Sequence, residues 1–77
     1  MQIIIKYFGL LVEVTNCSEE SVNTSAETIN DLLQELYSKY PELREKDFQL
    51  AQNNTIVNKS EPINQTEIAL LPPFSGG

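Results

Sequence analysis

The chain has 77 residues, which is room for one compact domain and excludes a second core. Its formal charge of −6, with only five Lys and Arg, excludes a surface built to neutralise phosphates, so a basic partner is expected rather than a nucleic acid. Apolar residues at 40% of the chain suffice for a globular fold and exclude a disordered one.

Residues 3–8, Ile-Ile-Ile-Lys-Tyr-Phe, are β-branched and aromatic, and Gly9 closes the run. They predict a strand with burial on both faces. Residues 10–14 are apolar but aperiodic, and fit a helical turn or a strand. Residues 16–24 are polar with Val22 as the one clear core candidate, and a second strand antiparallel to the first is expected there.

The clearest element is a helix. Ile29, Leu32, Leu33, Leu36, Tyr37 and Tyr40 form one apolar stripe on a 3.6-residue period. Two start signals compete, Thr24 with Glu27 and Thr28 with Asp31, each a Thr followed three residues later by an acid. Thr28 is favoured because the stripe begins directly after it. Pro41 ends the helix, since it disfavours helical geometry at Tyr40 and has no N–H to donate.

Residues 48–52 alternate, with Phe48 and Leu50 on one face, and Asn53 and Asn54 mark a turn because Asn tolerates positive φ. Residues 55–57 pair back across that turn. The last strand is expected over 67–71, with Ile68 and Leu70 on one face and Ala69 and Leu71 on the other. The run from Glu42 to Asp47, with Glu19 and Glu20, is read as solvated surface able to steer a basic partner. Strands with one helix long enough to cover a sheet predict an α+β two-layer fold. The expected form is a β-grasp, or ubiquitin-like, mixed sheet of four or five strands with one main helix on one face. Residues 1–71 are expected to form that domain and 72–77 a projecting tail.

Cys17 is the one cysteine and there is no histidine, so no internal disulfide, zinc site or iron–sulfur cluster is expected, and no bound cofactor. Cys17 reads as a small apolar or inert thiol rather than a relay. A cytoplasmic location is expected because small secreted domains usually need disulfides, the opening residues lack a signal-peptide pattern, and no stretch reaches membrane-spanning length.

The ending carries the functional signal. Pro72 and Pro73 fix two φ angles, favour an extended path and project the last four residues away from the domain. Phe74 is an apolar side chain on that arm, Ser75 is small, and Gly76 and Gly77 carry no side chains, so the end can thread a narrow channel with the Gly77 carboxylate as reacting group. Two glycines at a terminus arise by chance in about one chain in two hundred, so the pair alone is weak. The double proline and apolar anchor before it make the pattern specific.

Residues 70–77, Leu-Leu-Pro-Pro-Phe-Ser-Gly-Gly, resemble the ending of molybdopterin synthase small subunits. Looser matches in the same order run over nearly the whole chain, at residues 6–9, 28–33, 40–41, 53 and 67–70. Asn54, Gln65-Thr66 and Gln52 depart from the family pattern; the first two sites lie in turns, and Gln52 is expected at an edge or solvent position. The resemblance implies a sulfur carrier without an active site of its own. Gly77 would be joined to AMP by an ATP-dependent adenylating enzyme, converted to a thiocarboxylate by a persulfide donor, and would give its sulfur to a pterin precursor to form the molybdopterin dithiolene. It implies a large catalytic subunit as partner, two of each in a heterotetramer, met by Phe8, Ile56, Leu71 and Phe74. The alternatives are a sulfur carrier for thiamine-thiazole or another pathway, which generally lacks the double proline, and a ubiquitin-like modifier joined through Gly77 to lysines.

Overall fold

In chain order, the computed structural model, which describes residues 1–73, runs through β1 (Gln2–Tyr7), α1 (Leu11–Thr15), β2 (Glu19–Asn23), α2 (Ile29–Lys39), a 3-10 turn (Pro41–Glu45), β3 (Gln49–Gln52), β4 (Thr55–Val57) and β5 (Glu67–Leu71). The five strands form one mixed sheet in the order β2-β1-β5-β3-β4. β1 and β5 run parallel at its centre, and the other neighbours are antiparallel. With the helices packed on one face, this is the ubiquitin-like β-grasp arrangement.

α2 starts where the capping box places it. The Thr28 hydroxyl accepts from the Asp31 N–H at 3.2 Å, and the Asp31 carboxylate accepts from the Thr28 N–H at 3.3 Å. The helix ends at Lys39, ahead of Pro41. Its buried stripe of Ile29, Leu32, Leu33 and Leu36 joins Ile3, Ile5, Tyr7, Leu50, Ile68 and Leu70 of the sheet in one core. The ambiguous residues after Gly9 form a short helix ending at Asn16, which sits in the left-handed region at φ 62°. In the hairpin between β3 and β4, Asn53 and Asn54 have φ of 51° and 60°, the geometry of a type I′ turn.

Three expectations are corrected. β1 is buried on one face only: Ile3, Ile5 and Tyr7 are covered, while Ile4 and Phe8 are 40% and 43% exposed. One layer of helices covers one face of a sheet and leaves the other bare. Gln52 is buried rather than at an edge or in solvent. Its amide donates to the Pro62 carbonyl at 3.1 Å and accepts from the Asn64 N–H at 2.9 Å, bracing the loop before β5. The run from Glu42 to Asp47 is mostly exposed, but Leu43 within it is fully buried beneath the 3-10 turn.

A polar cluster closes the far side of the core. The Glu20 carboxylate on β2 accepts from Tyr7 Oη at 2.6 Å and Tyr40 Oη at 2.7 Å, and pairs with Lys39 Nζ. Burial works to raise the Glu20 pKa, but the hydrogen bonds from Lys39, Tyr7 and Tyr40 outweigh it and hold the carboxyl below its usual range. Burial, then hydrogen bonding to Glu20, pushes both phenols well above 10. The folded protein therefore keeps phenol protons that the unfolded chain releases. That contribution is complete below about pH 10 and is lost as pH rises, with a limiting slope of about 1.4 kcal/mol per pH unit for Tyr7. Denaturation midpoints measured from pH 9 to 11 should fall more steeply for the wild type than for Tyr7→Phe. Equal slopes would show that Tyr7 titrates as a free phenol.

Candidate functional site

The bare face of the sheet is set by strand parity. Register puts Lys6 beside Ala69, Ala69 opposite Ala51, and Ala51 opposite Ile56, so these four form one row across β1, β5, β3 and β4. The next row toward the chain end has Leu71 opposite Gln49. Alanines at the centre of the face and larger apolar groups around them give a shallow concavity of about 620 Å³, bounded by Phe8, Ile56, Leu71, Lys6 and Glu67. Phe8 and Ile56 are 43% and 53% exposed, and Leu71 is half-buried. Asn53, Asn54 and Gln65 join Lys6 and Glu67 in the lining, so the concavity sets an apolar strip among hydrogen-bonding and charged groups. The three apolar residues named from the resemblance within the described chain thus share one face. Lys6 and Glu67 form an exposed ion pair of 3.3 Å at its rim.

Leu71 at the end of β5 lines this face, whereas Pro72 and Pro73 line a separate hollow with Leu10, Leu11 and residues 45–47. β5 is a central strand held on both sides, and the Phe8 N–H donates to the Leu70 carbonyl at 3.2 Å as the last bond of the β1 side. Pro72 and Pro73 come directly after it, both exposed. Pro72 has no N–H to extend either ladder, so the sheet stops there. Phe74, Ser75, Gly76 and Gly77 lie outside the described residues. Sequence reasoning missed Ala51 and Gly9: Ala51 floors the concavity, and Gly9 lies against Pro72. The parity of β3 was the available signal for Ala51; none pointed from Gly9 to Pro72.

Among the described residues, no group of three or more His, Cys, Asp or Glu is placed to hold a metal ion. Cys17 is half-buried, with its Sγ 3.9 Å from a Glu20 carboxylate oxygen. No helix among the described residues is long and apolar enough to cross a membrane. The described residues thus place a half-apolar concave face beside the end of β5, the strand that leads into the C-terminal residues.

Residues 5–77 match the family model described as the ThiS family. Among solved structures, the chain is similar to small archaeal modifier protein 1 from Haloferax volcanii, at 26% identity over 100% of both chains and a TM-score of 0.80. The small archaeal modifier protein 1 of Methanosarcina acetivorans is 25% identical, with 99% of this chain and 96% of that one covered and a TM-score of 0.75. A Pyrococcus furiosus protein provisionally named molybdopterin converting factor, subunit 1, has a TM-score of 0.85 over 96% of this chain and 99% of that one. At 19% identity it speaks for the fold.

Proposed function

Because the chain belongs to the ThiS family, we propose that it is a sulfur carrier whose Gly77 carboxylate is loaded and unloaded by other proteins, and that its client is molybdopterin synthase. The observation that carries this reading is the Pro-Pro-Phe-Ser-Gly-Gly ending that follows a central strand beside a half-apolar concave face.

A carboxylate is a poor electrophile. An adenylating enzyme joins the Gly77 carboxylate to the α-phosphate of ATP and releases pyrophosphate, so that AMP becomes the leaving group. The terminal sulfur of a persulfide displaces AMP, and a thiol cleaves the resulting acyl disulfide to leave the thiocarboxylate. That sulfur then attacks a carbon of the pterin precursor in the large subunit and displaces an oxygen substituent. Water hydrolyses the resulting thioester, so that the sulfur stays on the pterin and Gly77 returns as the carboxylate. Two such deliveries complete the dithiolene. The chain's own part is presentation. Pro72 and Pro73 hold the arm extended, Phe74 anchors it in the partner, and Ser75 with Gly76 keeps the final stretch thin enough to thread. The domain has no histidine to serve as a base, which fits a carried group better than a catalyst.

The large subunit docks on the face bounded by Phe8, Ile56 and Leu71. Ile56→Asp tests this, because the side chain is 53% exposed on a short strand. Stability should change by no more than about 0.5 kcal/mol, while a buried charge at the interface weakens binding roughly tenfold or more. Unchanged affinity by calorimetry would move the interface elsewhere.

The likeness to small archaeal modifier proteins at 25–26% identity favours a second reading, attachment of Gly77 to lysines as a ubiquitin-like modifier. Intact-mass spectrometry of the chain from its own cells separates the two. A sulfur carrier gains about 16 Da at Gly77 by exchange of oxygen for sulfur, whereas a modifier appears as branched conjugates. A chain found only as the free carboxylate, with the loading enzymes present, counts against both.

A further inference from the structure

Where the chain leaves the sheet, Pro72 stands against Gly9. Gly9 lies just beyond β1 with φ +61°, and a Cβ placed on it would stand 2.7 Å from Pro72 Cγ and 3.7 Å from Pro72 Cβ and Cδ. Real Cβ atoms essentially never approach a heavy atom to 2.7 Å, and a proline ring fused to the backbone cannot swing aside as a free side chain can. The two segments are also pinned from behind. Phe8 N–H donates to Leu70 O at 3.2 Å, two residues before Pro72. On the other side of Gly9, the Leu11 N–H bonds Phe8 O at 3.2 Å and the Val12 N–H bonds Gly9 O at 3.1 Å, fixing the turn into α1. The Pro72 ring therefore rests on a bare backbone patch held in place by β1 and α1.

We propose that Gly9 is a positioning residue for the tail: its missing side chain leaves the seat in which the Pro72 ring rests, and this contact sets the direction of the chain at Pro72 and Pro73. Its role in catalysis rests on the sulfur-carrier reading; the directional role does not. Any side chain at position 9 meets both the left-handed backbone and the ring, so relief must come from moving Pro72 or the β1–α1 turn. Because β1 and β5 are held by their ladder, displacement falls on the tail root. A rotation at Pro72 and Pro73 redirects the point from which the remaining chain continues.

The test uses the full chain and two readouts. Residual dipolar couplings report the orientation of the Pro72 and Pro73 Cα–Hα bonds relative to the sheet. Intact mass after incubation with the adenylating enzyme, ATP and a persulfide donor reports loading of Gly77. In Gly9→Ala, couplings of Ile5 and Ile68 should match the wild type while those of Pro72 and Pro73 change, and KM for loading should rise at least several-fold with kcat less affected. Should Gly9→Ala not fold, Pro72→Ala carries the test, with the couplings at position 73 expected to average toward zero as the seat empties.

Unchanged couplings at 72 and 73 in the folded variants overturn the proposal. Changed couplings with wild-type loading refute the role in presentation. A wild type that never loads refutes the sulfur-carrier reading instead, and the couplings still decide whether Gly9 directs the tail.

Discussion

Deleting Gly77, or adding one residue beyond it, is expected to abolish sulfur loading and leave the melting temperature unchanged. Deletion leaves Gly76 as a terminal glycine with the same chemistry, so the only difference is reach. One residue of extended chain spans about 3.3–3.6 Å. A misplacement of about 1 Å in a reacting group can cost roughly a hundredfold, so a shortening of this size should lower loading by at least that much. Extension acts differently, because it turns the Gly77 carboxylate into an amide and carries the new carboxylate past the reacting position. Gly77 has no side chain to bury, so the melting temperature is expected to hold in both variants. Loading is read by intact mass and folding by thermal melts. A shortened or lengthened chain that still acquires sulfur would end the terminal-carboxylate mechanism.

Leu33→Ala should have the opposite profile, costing stability wherever the tail is directed. Leu33 is fully buried on α2, which supplies most of the second layer over the sheet. Truncating a buried leucine costs about 2–5 kcal/mol, the loss of transfer free energy plus the cavity left behind. A domain of this length has a total stability of roughly 4–12 kcal/mol at the usual value per residue. The variant should therefore melt roughly 10–30 °C lower, and part of the population is unfolded near physiological temperature. Urea denaturation measures the loss directly. A cost under about 1 kcal/mol would mean that the helix–sheet interface closes over the gap.

The elements that sequence reasoning placed correctly are those with a local period. The α2 stripe repeats every 3.6 residues and its cap is a two-residue device, so both can be read from neighbours in the chain. β5 alternates cleanly, and Ile68 and Leu70 are fully buried as parity required. The same parity put Leu71 on the bare face, where Phe8 and Ile56 join it. What was hidden depends on partners far away in sequence. Glu20 looks like half of a solvated acid pair, yet it sits under two phenols 13 and 20 residues away. Leu43 is one apolar residue among charges, too isolated to show a period. Gln52 is polar in a strand, and its burial depends on the loop backbone it satisfies. The burial of Ile3-Ile4-Ile5 was overestimated because composition does not say how many layers will cover a strand.

The strand that launches the tail is also the one made last and placed in the middle. β5 lies between β1 and β3, and without it these two strands have no hydrogen-bonded link. During synthesis, the earlier strands must wait for residues 67–71 before the sheet can close, because the pairing that joins its halves spans most of the chain. A product broken off before that point lacks both the keystone and the arm. The same five residues therefore close the sheet and carry the chain to its last segment.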